Sequence, residues 1–212
     1  MTFSYRVGWT MFRLIYSTFF RWKVVGREHV PLTGSVILAG NHASFIDPPL
    51  IGCALSRDIN YLGRESLFRY PIVGWVLRSW NSVPVDRDGG GARGLKAILD
   101  RLLKGGAIIL FPEGTRTKDG RLQPARSGVG LTVIKSEAVV IPVRVFGTFE
   151  AWGRHMTFPR PKRIGVVYGA PMDFRELRAE AKTCGKDRLK RIYQEVADRI
   201  MAEIAKLEMK WD

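Results

Sequence analysis

Short, unbroken apolar runs that alternate with helix-period stretches constrain this 212-residue chain more than any other feature. Val36-Ile37-Leu38-Ala39, Ala107-Ile108-Ile109-Leu110 and Val139-Val140-Ile141-Pro142-Val143 read as buried strands. The pattern predicts strands over 22–26, 35–40, 59–62, 82–85, 106–110, 138–146 and 163–169. Helices are expected over 48–56, 71–79, 91–104, 127–136 and 186–208. Such alternation points to an α/β fold, and the length suits one domain: a mixed, mostly parallel sheet flanked by helices. Pro142 marks a sheet edge or an irregularity, because proline donates no ladder hydrogen bond. Gly89-Gly90-Gly91 reads as a flexible lead-in to the helix that follows, and a phosphate-binding loop is the weaker reading. The last helix carries Ile192, Val196, Ile200 and Ile204 at helical spacing, a face for docking on the sheet.

Charge narrows the partners. Lys and Arg number 34 against 20 Asp and Glu, a net charge of +14. That balance favours an anionic partner: nucleic acid, a membrane surface or a phosphorylated substrate. Two cysteines and three histidines, scattered, make neither a disulfide framework nor a zinc site. No run reaches the roughly eighteen apolar residues of a membrane-spanning helix. Residues 7–20 are dense in aromatic side chains and bracketed by Arg6, Arg21 and Lys23. This is the composition of a helix lying in a bilayer interface, with arginines reaching for lipid phosphates. The competing reading is a helix packed on the domain's own core. Residues 1–21 are accordingly assigned to an amphipathic, membrane-associating segment and 22–212 to the chemical domain.

Directly after the first central apolar run stands Asn41-His42-Ala43-Ser44-Phe45-Ile46-Asp47. Five residues along one continuous helix would turn His42 and Asp47 away from each other. At a strand end the chain can fold back, so that the carboxylate meets one imidazole nitrogen and leaves the other to take a proton. The plainer reading makes Asp47 the N-cap of a helix that starts at Pro48. A second polar cluster, Phe111-Pro112-Glu113-Gly114-Thr115-Arg116, follows the run Ala107–Leu110. Strand ends of this kind present ligands with loops, and arginine holds a phosphate through paired hydrogen bonds. Glu113 is placed to accept from a substrate hydroxyl or to orient Arg116. Val83-Pro84-Val85-Asp86-Arg87 delivers a further arginine at another strand end.

These segments together resemble the glycerolipid acyltransferase family, most nearly its bacterial enzymes that acylate lysophosphatidic acid. Asn41-His42-x4-Asp47, Ser82 to Arg87, Phe111 to Arg116 and Val140-Ile141-Pro142-Val143 match the family's four blocks in order, across roughly residues 22 to 170. A lone His-x4-Asp is common by chance, but joined to Phe-Pro-Glu-Gly-Thr-Arg it is highly specific. The resemblance implies that His42 is a general base held by Asp47. It implies direct attack of a lysophospholipid's sn-2 hydroxyl on an acyl thioester, with acyl-CoA or acyl-ACP (acyl carrier protein) as co-substrate and neither cofactor nor metal. Arg87 and Arg116 then bind the acceptor's phosphate, Glu113 and Thr115 sit beside it, and Gly114 lets the loop close. Arg64 and Arg126 are additional candidates for phosphate contacts. Backbone N–H groups at the start of the helix after Asp47 are expected to stabilise the oxyanion.

Two departures from the family pattern bear on the acceptor. Asn81 stands where glycine is frequent, and Ala125-Arg126-Ser127-Gly128 replaces Phe-Lys-x-Gly. They leave another lysophospholipid or a lyso-aminolipid as the alternative acceptor. The implied setting is the cytoplasmic face of the inner membrane, peripheral or monotopic, with anionic bilayer lipids as partners. Nucleic acid is the remote alternative, since the basic residues are dispersed and no nucleic-acid motif is visible. The acyl chain requires an apolar groove whose lining the sequence does not assign.

Overall fold

A computed structural model describes residues 1–85 and 92–211. The strands are β1 (Lys23–Val25), β2 (Val36–Gly40), β3 (Ile59–Arg64), β4 (Ser82–Val85), β5 (Ala107–Leu110), β6 (Val139–Phe146) and β7 (Gly165–Tyr168). The helices are α1 (Phe3–Thr18), α2 (Asp47–Cys53), α3 (Pro71–Ser79), α4 (Ala92–Leu103), α5 (Ser127–Ile134), α6 (Thr148–Trp152), α7 (Arg175–Ala181) and α8 (Lys186–Lys206). All described strands join one sheet in the order β1-β7-β6-β2-β5-β3-β4. Only β6 and β7 pair antiparallel. The expected α/β sheet is therefore present, and strand positions agree with the sequence to within about two residues.

β2 lies at the centre, parallel to both β5 and β6. Its side chains alternate between two cores. Val36 and Leu38 join Tyr16, Leu50 and Ile51 beneath α1 and α2. Ile37 and Ala39 join Leu102, Val129, Ile192 and Val196 beneath α4, α5 and α8. Burial on both faces explains why these strands are apolar throughout rather than alternating. Each fully buried Leu or Ile contributes about 1.5–3 kcal/mol. At the α5–α8 crossing, a Cβ on Gly130 would run into the Tyr193 carbonyl oxygen, so only glycine permits that approach.

Pro142 is not at a sheet edge, because β6 lies between β7 and β2. Antiparallel pairing with β7 starts only at Val143↔Tyr168, so Pro142 sits just outside that ladder. Asn81 adopts φ 57°, a left-handed conformation that glycine takes freely and asparagine tolerates. The substitution at this position thus keeps the turn into β4. Short helices α6 and α7 were not expected from the sequence, and the glycine run 89–91 lies outside the described residues.

The N-terminal helix begins earlier than the aromatic run suggested and is built into the domain. Tyr5, Gly8 and Tyr16 are buried. Trp9 Nε1 donates to Leu55 O at 2.9 Å, Arg13 to Cys53 O at 3.1 Å and Tyr16 Oη to Ile46 O at 3.1 Å. Its opposite face is exposed. Among the described residues, no helix is long and apolar enough to cross a membrane.

Candidate active site

The centre of the sheet brings the two polar motifs together. β2 and β5 are in register at Ala39↔Leu110, so the segments that leave their C-terminal ends emerge side by side. His42 N–H donates to Glu113 Oε1 at 3.3 Å, and Thr117 N–H donates to His42 O at 2.8 Å. Residues some seventy positions apart are thereby fixed by backbone hydrogen bonds, not by flexible side chains alone.

Asp47 folds back onto the turn before it. Its Oδ2 lies 2.9 Å from His42 Nδ1 and accepts from the N–H groups of Ala43 and Ser44, each at 2.6 Å. A helix cap accepts from N–H groups that follow it, so Asp47 is an anchor for the histidine turn and not the N-cap of α2. The carboxylate is fully buried, and three donors on one oxygen hold it in a single orientation. With Nδ1 engaged, Nε2 is the ring nitrogen left for a substrate proton.

Phe111 fixes the ring plane as well. It stacks on His42 with centroids 3.9 Å apart and planes 14° from parallel. The sequence contained this residue within a motif but gave it no role, because a ring stack between two strand ends leaves no local signature.

Glu113 is buried, and desolvation pushes its carboxyl up to about 7, opposed by the His42 N–H bond and reinforced by the nearby Asp47 charge. Its Oε2 has no hydrogen-bond partner among the described residues. Gly114 sits at φ 72° with the Arg126 side chain against it, so a Cβ there would lie 2.9 Å from Arg126 Cδ. Thr115 is exposed on the same turn. The Arg116 guanidinium carbon lies 3.5 Å above the Phe45 ring centroid, which ties the second motif to the first by a cation–π contact. Arg64 is exposed at the end of β3, opposite Val85 in register, and does not line the cavity described below. Arg87 lies outside the described residues.

The expected oxyanion donors are not where the sequence suggested. α2 begins Asp47-Pro48-Pro49, and two prolines remove two of the N–H groups at that helix start. Leu50 N–H is already bonded to Ile46 O.

Beside His42 opens a cavity of about 720 Å³, lined mainly by apolar side chains. Leu95 and Ile98 of α4 face Val129 and Leu131 of α5 across it, with Phe111 and Arg126 also in its wall. The volume lies within the range typical of ligand pockets. Sequence reading required such a groove but assigned none of its residues, since their spacing on α4 and α5 equals that of ordinary core positions.

Residues 21–146 match the family model described as Acyltransferase. The chain is 30% identical over 133 residues to a chloroplastic 1-acyl-sn-glycerol-3-phosphate acyltransferase of Arabidopsis thaliana, covering 61% of this chain and 37% of that protein. It is 27% identical over 126 residues to the 1-acyl-sn-glycerol-3-phosphate acyltransferase of Bacillus subtilis, covering 59% of this chain and 62% of that protein. The matched segment thus spans less than two thirds of either relative. The fold is similar to the crystal structure of a 1-acyl-sn-glycerophosphate acyltransferase from Thermotoga maritima, with a TM-score of 0.74 at 24% identity over 97% of this chain and 81% of that one.

Proposed function

From the premise that the chain belongs to the acyltransferase family, we propose that it moves a fatty acyl group from a thioester to the free sn-2 hydroxyl of lysophosphatidic acid. The observation that carries this reading is the His42–Asp47 pair, 2.9 Å apart and buried, with His42 in the wall of the apolar cavity. His42 Nε2 takes the hydroxyl proton while the hydroxyl oxygen bonds to the thioester carbonyl carbon. The tetrahedral centre then collapses, the C–S bond breaks, and the leaving thiolate recovers the proton from the imidazolium. Phosphatidic acid and a free thiol result, and no acyl-enzyme forms. Asp47 holds the ring and stabilises the transient imidazolium.

The cavity beside α4 and α5 suits the acyl chain, because its lining is mainly apolar and includes His42. Arg126, in the cavity wall against Gly114, and Arg116, outside that wall and stacked on Phe45, suit the acceptor's phosphate, and Arg87 is assigned with them by its motif alone. Glu113 is assigned to the acceptor's glycerol portion by its motif, with its carboxylate buried directly behind the His42 turn. Both substrates are anionic and one resides in a bilayer, which fits a +14 chain with an exposed apolar face on α1, held peripherally or monotopically at the cytoplasmic side of the membrane. Acyl-CoA and acyl-ACP both present the required thioester.

The test is acyl transfer from labelled oleoyl-CoA to lysophosphatidic acid, wild type beside His42→Ala. Phosphatidic acid from the wild type alone is the expected result. Comparable turnover by folded His42→Ala would refute the base. A wild type that acylates only a different lysolipid would reassign the acceptor to the changed Ala125–Gly128 segment.

A further inference from the structure

Large apolar side chains left in solvent are not spread evenly over this molecule. Of the nineteen among the described residues, seven lie in residues 1–19 and five in residues 67–75. On α1, Phe3, Val7, Met11 and Leu14 recur at four- and three-residue steps and form one stripe, 86%, 52%, 42% and 64% exposed. That stripe is the face turned away from buried Tyr5, Gly8 and Tyr16. On α3, Ile72 and Trp75 are 80% and 65% exposed, opposite buried Gly74.

The C-terminal end of α3 meets the first turns of α1, although some sixty residues separate them. Trp80 Nε1, just past α3, donates to Ser4 O at 3.1 Å, and its indole covers Gly8 so closely that a Cβ would come within 2.6 Å. Ser4 Oγ donates to Ser79 O at 3.4 Å. The charges carried by α1 and by residues 66–85 have one sign, with Asp58 and Glu65 at the margin. Arg6 follows Phe3 by three residues and Arg78 follows Trp75 by three, which places each beside an apolar neighbour on its helix. Arg69 adjoins exposed Tyr70, and no Asp or Glu occurs in residues 1–27 or 66–85.

We propose that the exposed faces of α1 and of residues 67–75 form one docking surface for an anionic lipid bilayer, so that two sequence-remote helices share the membrane contact. Aromatic and aliphatic side chains with arginine neighbours match the interfacial layer, where apolar groups sink below the headgroups and guanidinium groups meet phosphates. A second copy of this chain is a poor occupant, because pairing the surface with itself brings arginines against arginines. The proposal stands apart from the reaction assigned above, since binding is read without turnover.

The experiment is flotation of the full chain with phosphatidylglycerol–phosphatidylcholine vesicles and with phosphatidylcholine vesicles. Wild type is compared with Ile72→Glu/Trp75→Glu and with Val7→Glu/Leu14→Glu. All four substituted side chains are exposed, so circular dichroism and the thermal midpoint are expected to match wild type. Wild type should float with the anionic vesicles and be released by salt. Each double variant should lose at least about tenfold in partitioning. Retention of wild-type flotation by Ile72→Glu/Trp75→Glu, with loss only in the α1 variant, would overturn the shared surface. So would equal binding to both vesicle types, or a wild-type dimer in solution that Ile72→Glu/Trp75→Glu dissociates.

Discussion

Replacing Asp47 by asparagine keeps the side chain's shape and removes its charge, which isolates what the carboxylate does for His42. The charge appears on the imidazole only while it carries the substrate proton. Charge centres roughly 4 Å apart attract by about 4 kcal/mol at an effective dielectric near 20. An amide oxygen retains part of that as a dipole, so a loss of about 3–4 kcal/mol in the transition state corresponds to a fall in kcat of about a hundred- to a thousandfold. The ground state suffers less. The bonds from His42 Nδ1, Ala43 N and Ser44 N become neutral instead of charge-assisted, together costing about 3 kcal/mol. For a chain of this length that lowers the thermal midpoint by roughly 6–12 °C. The assay is steady-state transfer from acyl-CoA to lysophosphatidic acid, well below that midpoint, with substrate varied to separate kcat from KM. Asp47 is fully buried behind the ring, so KM should hardly change. A folded Asp47→Asn protein with kcat within about fivefold of wild type would refute electrostatic support of His42 as the source of rate.

Glu113 gives a test on stability instead of rate. Burial holds its carboxyl at about 7 against 4.5 in the unfolded chain, so the folded state binds that proton more tightly. Its relative stability is therefore greatest below about pH 4.5 and declines by up to about 3 kcal/mol as pH rises through about 7. Glu113→Gln, which cannot titrate, should gain in thermal midpoint relative to wild type between about pH 5 and pH 8; parallel midpoint curves would exclude the buried carboxyl as the cause. Phe111→Ala removes the ring stacked on His42 and is expected to lower kcat by about tenfold, in line with an aromatic contact of about 1 kcal/mol or slightly more. If only KM rises, Phe111 is cavity wall and nothing more. Gly130→Ala forces a methyl against the Tyr193 carbonyl, and denaturant unfolding should show a loss of about 2 kcal/mol or more; unchanged stability would mean α5 and α8 separate freely.

The fold was legible because its strands are buried on both faces and its helices on one, which writes two different periods into the chain. Val36–Ala39 and Ala107–Leu110 are visible as apolar runs for that reason. The His42–Asp47 pair was legible for a related reason: the polar turn starts where an apolar strand stops. Other features depended on contacts that leave no local trace. Asp47 resembles a helix cap in sequence, and only its bonds to Ala43 and Ser44 show that it faces backward. Pro48 and Pro49 make a good helix start but a poor source of N–H donors, so the oxyanion site expected there was misplaced. An exposed apolar face on α1 was expected, but which side it occupies was hidden, because that helix is apolar on two sides, one built into the domain and one open.

The strand order explains why the motifs need to be so far apart. β2 and β5 are neighbours, yet α2, β3, α3, β4 and α4 intervene in sequence, because a parallel neighbour requires a crossover. Each motif therefore inherits its position from a different strand end. Asn41 Oδ1 accepts from Val145 N–H at 2.8 Å, so the residue before the histidine also ties β2 to β6 on the other side. His42 is thus held from both flanks: by Glu113 and Thr117 from β5's loop, and through Asn41 from β6. The same crossover carries α4 over the sheet and supplies the cavity wall beside the histidine. The buried histidine and the apolar pocket are in this sense one product of the β2–β5 adjacency, and residues that set that adjacency shape the site without lining it.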